Sequence, residues 1–310
     1  MVNPDLLVIV GPTAVGKTAL SLKLAKEFTG EIISGDSMQV YKEMDIGTAK
    51  ATAQERREIP HHMIDLIYPD TSFSVQEFQQ LAERAIWDVY QRGHLPMLVG
   101  GTGLYVESIT HGYHMPKVSE NRAYRSELIN LAEREGNMVL YQRLQEVDSE
   151  TASRLHPNDR RRIIRALEVY HETGKRFSDQ KKRKTSPYNL LWIGLTMPRD
   201  LLYDRINQRV DQMIEQGLIQ EVKQLKEKGY HDGLTSIQAI GYKEIISYLD
   251  GDITLEEAIE SIKRGTRKFA KRQLSWFRRI PEIHWFDVMQ NPVYTEIQQL
   301  VAGKFPRYRE

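Results

Sequence analysis

The 310-residue sequence contains no cysteine. A chain without thiols cannot form disulfides or thiolate zinc sites, so disulfide-stabilised domains and zinc fingers are excluded. This composition fits a reducing compartment, and we therefore expect a cytoplasmic protein.

Long hydrophobic runs are also missing. The longest aliphatic run near the start, residues 6–10, is far too short to span a bilayer, and no secretory signal pattern comes before it. We therefore expect no membrane segment. Hydrophobic residues still make up 40% of the chain, which is enough to build a folded core.

Positive charge is concentrated in two stretches, although the formal net charge of the whole chain is only +1. Residues 154–184 carry a net charge of +7 and residues 263–279 carry +8, so the rest of the chain carries −14. Two basic patches on an acidic body fit a polyanionic partner such as nucleic acid, although solvated helix faces remain an alternative.

Apolar runs alternate with helical patterns in the first hundred residues. Residues 6–10, 31–34 and 95–99 have the composition of strands, and Ser74 opens a capping box in front of a helical pattern. Strands that alternate with helices predict an α/β fold, in which helices flank a parallel sheet and active groups follow the carboxyl ends of the strands.

This alternation stops in the middle of the chain. Residues 121–177 are helix-like and basic, residues 111–116 and 181–187 have the composition of linkers, and residues 190–195 resume as an apolar strand. We predict a core formed by residues 1–116 and 190–310, which includes the C-terminal helices, and a helical insertion domain of residues 117–189.

The sequence GPTAVGKT has the spacing of a phosphate-binding loop, and it lies between a predicted strand and a helical pattern. Backbone amides and the helix N-terminus would converge on the anion, Lys17 would add charge, and the Thr18 hydroxyl could hold Mg²⁺. The sheet is therefore predicted to be P-loop NTPase-like. The predicted phosphate-binding residues are Gly11, Pro12, Thr13, Ala14, Val15, Gly16, Lys17 and Thr18.

A nucleotide hydrolase or kinase would add an apolar strand that ends in an aspartate for the metal. The nearest sequence, Ile64-Asp65-Leu66, is only weakly apolar. The phosphates can then belong to a compound other than ATP, because a loop that grips a diphosphate also stabilises it as a leaving group. A P-loop kinase of a small molecule or nucleotide and a non-catalytic RNA-binding protein with a nucleotide switch remain alternatives.

Six blocks in order along the chain form one pattern: GPTAVGKT (11–18), GDSMQVYKEMDIGTAK (35–50), LVGGTGLYV (98–106), NDRRRIIRALEVY (158–170), QAIGYKE (238–244) and RKFAKRQLSWFR (267–278). Together these blocks closely resemble bacterial tRNA dimethylallyltransferases, also called tRNA isopentenyltransferases. The resemblance implies transfer of a dimethylallyl group from dimethylallyl diphosphate to the exocyclic amine of the adenosine 3′-adjacent to the tRNA anticodon. It also implies a Mg²⁺ requirement and the shorter form of the family without a zinc finger. We expect a monomer.

The resemblance makes Asp36 the group that accepts the hydrogen of the amine, and it places Thr102 on the substrate. The chemistry agrees, because an adenine amine is a poor nucleophile and a carboxylate helps to remove its proton. Arg205 and Arg209 lie four residues apart in a helical pattern, where like charges cost energy unless an anion lies between them. We expect them to bind the diphosphate, with a solvated helix face as the alternative.

The resemblance also supplies a set of tRNA contacts, in which a flipped-out adenosine meets the Asp36 segment and the basic helices meet the anticodon stem-loop. Aromatic residues of the last long helix are predicted to be core instead. The predicted tRNA contacts are Asp36, Ser37, Met38, Gln39, Thr102, Tyr124, Arg125, Arg160, Arg161, Arg162, Ile163, Ile164, Arg165, Gln238, Gly241, Tyr242, Lys243, Arg267, Lys268, Lys271, Arg272 and Gln273.

Overall fold

A computed structural model describes residues 3–112, 121–180, 186–231 and 233–308. The chain forms two compact units, which we call the sheet unit (1–110 and 186–310) and the helical unit (111–185). The predicted linker residues 113–116 and 181–185 lie outside the described residues. Asn189, which we assigned to the insertion, is already the first residue of a strand in the sheet unit.

A six-stranded sheet, parallel in every strand pair described, forms the centre of the sheet unit, with the strand order β3-β2-β4-β1-β5-β6. The strands are β1 Asp5–Val10, β2 Gly30–Ser34, β3 His61–His62, β4 Leu95–Gly100, β5 Asn189–Thr196 and β6 Ile283–Asp287. Because β2, β4 and β1 are neighbours, the loops that follow these three strands meet at one edge of the sheet.

Helices make up most of the remaining described chain. They are α1 Lys17–Glu27, α2 Ala53–Glu58, α3 Val75–Gln91, α4 Gly103–Thr110, α5 Arg122–Glu135, α6 Asn137–Val147, α7 Ser149–Ser153, α8 Arg160–Thr173, α9 Phe177–Gln180, α10 Arg199–Glu215, α11 Leu218–Glu227, α12 Tyr242–Leu249, α13 Leu255–Phe277 and α14 Val293–Lys304. None of the helices in the described ranges is long and apolar enough to cross a membrane.

The central strand β1 supplies apolar side chains to both faces of the sheet. Leu7 and Ile9 pack in one core, whereas Leu6, Val8 and Val10 pack in the core on the opposite face. Successive residues of a strand point to opposite faces, so an uninterrupted apolar run is what a sheet covered on both faces requires. The predicted α/β fold with a flanked parallel sheet is confirmed.

The predicted strands at 6–10, 31–34, 95–99 and 190–195 are all present, and each end differs from the predicted one by at most one residue. The predicted capping box at Ser74 is also formed, because its hydroxyl accepts a hydrogen bond from the backbone N–H three residues on, and Thr254 forms a second capping box in front of α13. Sequence patterns did not predict β3 and β6. These are the two edge strands: β3 contains only two histidines, and β6 mixes polar and apolar residues.

The helical unit has its own apolar core. Leu128 of α5, Leu140 and Leu144 of α6 and Ile163 of α8 are fully buried in it. The carboxylate of Glu168 is buried beside this core and accepts hydrogen bonds from other residues of the same unit. This unit therefore combines a hydrophobic core with a buried charge.

A second buried carboxylate, Glu31, lies in the sheet unit near the start of β2. Its oxygens lie 2.7 Å from Nε2 of His62, 2.7 Å from the guanidinium of Arg92 and 2.6 Å from Nδ1 of His94. Burial alone would raise the pKa of Glu31, but hydrogen bonds from Arg92, His62 and His94 outweigh it and lower this pKa to about 2.

We expect Glu31→Gln to lower the free energy of unfolding of the sheet unit at neutral pH by about 2 kcal/mol. The folded pKa lies below the ordinary value of 4.5, so the contribution of the carboxylate is complete above about pH 4.5 and is lost as the pH falls towards 2. The difference in the free energy of unfolding between wild type and variant should therefore become smaller below pH 4.5. Urea unfolding followed by tryptophan fluorescence measures it, because all four tryptophans belong to the sheet unit.

The matched control is Glu58→Gln, which removes an exposed carboxylate that pairs with Lys26. Exposed ion pairs contribute little to stability, so this variant should unfold like the wild type. A Glu31→Gln protein that keeps full stability at neutral pH would show that the buried hydrogen bonds around Glu31 contribute nothing.

Candidate active site

The phosphate loop connects β1 to α1 at the carboxyl edge of the sheet. Gly11 and Gly16 have φ angles of 147° and 106°, in the region that favours glycine. At Gly11, an added Cβ would lie 2.6 Å from the carbonyl oxygen of Leu195, so no larger residue fits without a backbone shift. The strand, loop and helix that the motif requires are all present.

Lys17 folds back over its own loop. Its Nζ donates hydrogen bonds to the carbonyl oxygens of Gly11 at 3.0 Å and Pro12 at 2.7 Å. Burial and the positive charge of Arg209 lower the pKa of Lys17 to about 7, against an opposing effect of Asp36. A phosphate bound in the loop would favour the charged ammonium, so anion binding and protonation of Lys17 are coupled.

Asp36 lies in the turn that follows β2. Its Oδ1 accepts a hydrogen bond from the backbone N–H of Met38 at 2.8 Å, which fixes the direction of the carboxylate. Burial raises the pKa of Asp36, although the Met38 hydrogen bond and the charges of Lys17 and Arg209 oppose the rise. A carboxylate, an ammonium and a guanidinium thus interact within one site.

Thr102 lies in the turn after the neighbouring strand β4 and binds the turn that carries Asp36. Its hydroxyl accepts a hydrogen bond from the backbone N–H of Ser37 at 3.2 Å, and its own N–H donates to the Gly35 carbonyl at 3.3 Å. Gly100 permits this approach, because a Cβ there would lie 2.4 Å from the Gly35 carbonyl oxygen. Thr102 therefore lies at the site and positions the residues beside Asp36.

The side chain of Gln39, a predicted tRNA contact, is used inside the protein. Its Oε1 accepts a hydrogen bond from the Ser34 hydroxyl at 2.7 Å, and its Nε2 donates to the Thr48 carbonyl at 3.2 Å. Ser37 and Met38, also predicted contacts, are half-buried in the same turn as Asp36. The amide of Gln39 therefore shapes the segment rather than facing outwards.

Glu221 of α11 binds the segment of residues 35–50 after its Asp36 turn. No sequence motif predicted this role of Glu221. Its carboxylate accepts hydrogen bonds from the backbone N–H groups of residues 45–47 at 2.8–3.3 Å and from the Tyr242 hydroxyl at 2.7 Å. Tyr242 is fully buried, and an added Cβ on Gly47 would lie 2.5 Å from its ring. This corrects the prediction that Tyr242 contacts tRNA.

Lys50 ends the segment, and its side chain is only 1% exposed. Its Nζ donates to the Tyr41 carbonyl at 2.6 Å and pairs with Asp45 at 2.7 Å and Asp65 at 2.6 Å. The other carboxylate oxygen of Asp65 pairs with Arg56. Asp65, the nearest match to a metal-binding strand end, is therefore occupied by two cations of the protein.

Arg209 and Arg205 both come from α10 but lie in different surroundings. Arg209 interacts electrostatically with Lys17 and Asp36, and burial lowers its pKa while Asp36 raises it. The Arg205 side chain is exposed, with its guanidinium 4.0 Å from the sulfur of Met289. Of the predicted diphosphate-binding pair, the structure brings Arg209 to the site and leaves Arg205 at the surface.

The predicted tRNA contacts in the helical unit divide into buried and exposed residues. Ile163 and Ile164 of α8 are 0% and 6% exposed and belong to the core, which corrects their prediction as contacts. The Tyr124 ring stacks on the ring of His171, with 4.0 Å between the centroids. The exposed arginines of this helix are Arg161 and Arg162, and the neighbouring Arg160 is half-buried.

Arg125 and Arg165, also predicted contacts, both bind the buried carboxylate of Glu168. Arg125 donates to the two oxygens of Glu168 at 2.9 and 3.0 Å, and Arg165 donates to one of them at 2.5 Å. The spacing within the RRRIIR sequence could not distinguish arginines that bind a carboxylate from arginines that face solvent. These two arginines bind Glu168 within the helical unit while their side chains stay 30% and 34% exposed, so their role as tRNA contacts stays a prediction.

The predicted tRNA contacts in the sheet unit also divide. Gly241 is buried, and Arg267 donates a hydrogen bond to Oδ1 of Asn207 at 2.6 Å. Gln273 is only 5% exposed, and its role as a tRNA contact stays a prediction. The exposed residues of this set are Gln238, Lys243, Lys268, Lys271 and Arg272.

Comparison with known proteins gives consistent matches along the whole chain. The IPP transferase family pattern matches residues 39–280, and the isopentenyl transferase pattern matches residues 4–65. A tRNA dimethylallyltransferase of Halalkalibacterium halodurans is 52% identical over 305 residues, which cover 96% of this chain and 97% of that protein. A second, from Natranaerobius thermophilus, is 54% identical over 289 residues, covering 92% and 87%.

Solved structures agree with these sequence matches. The full-length tRNA isopentenylpyrophosphate transferase of Bacillus halodurans is 51% identical, with a TM-score of 0.74 and coverage of 98% of both chains. A eukaryotic dimethylallyltransferase, solved while acting on tRNA, is 33% identical, with a TM-score of 0.81 and coverage of 99% of this chain and 80% of that chain. The chain therefore belongs to the tRNA dimethylallyltransferase family.

Proposed function

We infer that the protein transfers a dimethylallyl group from dimethylallyl diphosphate to the exocyclic amine of the adenosine 3′-adjacent to the tRNA anticodon, and releases diphosphate. One observation supports the inference beyond family membership: the Asp36 carboxylate interacts electrostatically with Lys17 of the phosphate loop. A prenyl transfer needs a group that binds the leaving diphosphate and, near it, a group that accepts the proton of the amine.

The reaction breaks the bond between the allylic carbon and the diphosphate oxygen, and it forms a bond from that carbon to the amine nitrogen. The amides of the phosphate loop, Lys17 and Arg209 would stabilise the negative charge that grows on the departing diphosphate. Asp36 would take the proton that the amine loses. A raised pKa makes Asp36 a better proton acceptor than an ordinary surface carboxylate.

Thr18 is the residue that would hold Mg²⁺. Its side chain is exposed in the first turn of α1, beside the phosphate loop. No group of three or more His, Asp or Glu residues able to hold a metal occurs within the described ranges. This donor set fits Mg²⁺, which keeps several waters and is bound largely through substrate phosphates. The ion would neutralise part of the diphosphate charge.

The exposed cations supply candidate contacts to the anticodon stem-loop. They are Arg161 and Arg162 of α8 in the helical unit, and Lys268, Lys271 and Arg272 of α13 in the sheet unit. Contacts of this kind go mostly to phosphates and weaken as salt increases. The target adenosine would have to leave its stack to meet Asp36.

We propose a monomer as the working unit. A tRNA substrate supports action in the cytoplasm. The kinase alternative loses its best metal-ligand candidate, because Asp65 pairs with Lys50 and Arg56. A non-catalytic RNA-binding protein with a nucleotide switch would use the phosphate loop and Lys17, but it would have no use for the Asp36 carboxylate that interacts with them.

The test is a double-label assay with purified protein, Mg²⁺ and unmodified tRNA. One reaction contains dimethylallyl diphosphate labelled in the allyl group, and a parallel reaction contains ATP labelled in the γ-phosphate. We expect allyl label in the RNA, at the adenosine next to the anticodon, and no transferred phosphate. Phosphate transfer without allyl transfer would identify a kinase, and no transfer of either label despite tRNA binding would favour the non-catalytic alternative.

A further inference from the structure

Gln273 of α13 is a buried amide to which the proposed mechanism gives no role. Its Oε1 accepts a hydrogen bond from the backbone N–H of Thr13 at 2.9 Å, and its Nε2 donates to the Gly101 carbonyl at 3.1 Å. Thr13 belongs to the phosphate loop, and Gly101 belongs to the turn after β4. One side chain therefore joins two loops that are far apart in sequence.

The turn after β4 is shaped to receive α13. An added Cβ on Gly101 would lie 2.1 Å from Nε2 of Gln273, and one on Gly103 would lie 2.3 Å from the ring of Trp276. At either position a larger residue would require these α13 side chains to move. Two of the glycines in the LVGGTGLYV block therefore admit residues of α13, and the Gln273 bridge depends on one of them.

Both ends of the bridge lead to groups proposed for chemistry. On one side, Thr13 follows Pro12, whose carbonyl accepts a hydrogen bond from Lys17. On the other side, Gly101 precedes Thr102, whose hydroxyl holds the turn that carries Asp36. Gln273 therefore links the loop that cradles the leaving group to the turn that carries the proton acceptor.

We propose that Gln273 is a positioning residue that sets the separation between the phosphate loop and the Asp36 turn. This inference rests on the proposed function. The separation matters because the allylic carbon must lie between a bound diphosphate and an amine held near Asp36, and an error of about 1 Å in such an arrangement can cost about a hundredfold in rate.

An amide is the group that this position requires. The Thr13 N–H needs an acceptor and the Gly101 carbonyl needs a donor, and a glutamine side chain supplies both. A carboxylate could accept from Thr13 but would oppose the Gly101 carbonyl, and alanine would leave both partners unpaired. Gln273→Glu therefore breaks only the hydrogen bond to Gly101, whereas Gln273→Ala breaks both hydrogen bonds.

The experiment measures single-turnover and steady-state allyl transfer to unmodified tRNA, with Mg²⁺ and labelled dimethylallyl diphosphate. We expect both variants to lower kcat by about 10- to 100-fold, while the Kd for tRNA, measured by filter binding, stays within about twofold of wild type. A second readout is the pH profile of kcat/KM. If the phosphate loop moves away from Asp36, the pKa of Asp36 loses the lowering effect of Lys17, so the acid limb should move to higher pH.

The matched control is Gln298→Ala on α14. Gln298 is half-buried and donates a hydrogen bond to Glu27, which ends α1 at the opposite end from Lys17 and Thr18. This variant also loses a glutamine and a long-range hydrogen bond, and it should keep the wild-type kcat and pH profile. Thermal unfolding of all variants fixes a temperature at which each one is folded, and if Gln273→Ala does not fold, Gln273→Glu decides the outcome.

Two results would overturn the inference. Weaker tRNA binding with an unchanged kcat would make Gln273 an RNA contact. If activity falls only in proportion to the folded fraction and the acid limb of the pH profile does not move, Gln273 has a structural role alone. No allyl transfer by the wild type would instead refute the proposed function, and this inference with it.

Discussion

Asp36→Asn is expected to lower kcat for allyl transfer at least about 100-fold while tRNA still binds. The amide oxygen can still accept the Met38 hydrogen bond, so the turn keeps its shape, but the group can no longer take a proton. In the wild type, kcat/KM should fall as the pH drops through the raised pKa of Asp36, because the protonated carboxyl is inactive. The residual activity of the variant should lack this acid limb. Single-turnover rates across a pH series measure both effects.

The control for this variant is Asp88→Asn, the same chemical change at an exposed position of α3. It should leave the rate and the pH profile unaltered, since it lies on the outer surface of a helix that supplies no residue proposed for the reaction. Near wild-type turnover by Asp36→Asn would remove this carboxylate from the mechanism.

Glu168→Gln is expected to destabilise the helical unit by about 3 kcal/mol, because one partner of a buried ion pair is removed while the two arginines stay in place. Burial would raise the pKa of Glu168, but hydrogen bonds from Arg125, Arg165 and Asn121 outweigh it and lower this pKa. The folded pKa lies below the ordinary value of 4.5, so the carboxylate stabilises fully above about pH 4.5 and the effect is lost as the pH falls further. Hydrogen exchange of residues 121–180 in the full chain measures the change at neutral pH.

The matched control is Glu172→Gln, one turn further along α8. Glu172 accepts a hydrogen bond from the side chain of Asn121 at 2.7 Å at an exposed position, so its loss should change stability by no more than about 0.5 kcal/mol. If the Glu168 variant and the control show equal exchange protection, the ion pairs between Glu168 and its two arginines do not stabilise the helical unit.

Local sequence patterns were sufficient for the central part of the fold. The run at residues 6–10 is apolar at every position because β1 is buried on both faces, and the phosphate loop has a spacing that requires a strand before it and a helix after it. The edge strand β6 was missed because its sequence, IHWFD, contains a polar residue between apolar ones and matches no clear period.

The site could be predicted only as far as its motifs extend. Gln273 and Thr13 are 260 residues apart, and nothing local to either residue indicates that they meet. Likewise, resemblance selected the RRRIIR sequence as a tRNA contact, but the helix turns its isoleucines into the core and its last arginine onto Glu168. Which side of a motif faces a ligand depends on tertiary packing, which one sequence does not reveal.

The inward fold of Lys17 has a consequence for how the product leaves. In the free protein the ammonium already satisfies two carbonyl oxygens of its own loop. A diphosphate bound in the loop would have to replace these carbonyl oxygens as the partner of Lys17, so it would gain less affinity than its charge alone suggests. When diphosphate dissociates, the ammonium would return to the same carbonyl oxygens, which would favour product release between catalytic cycles.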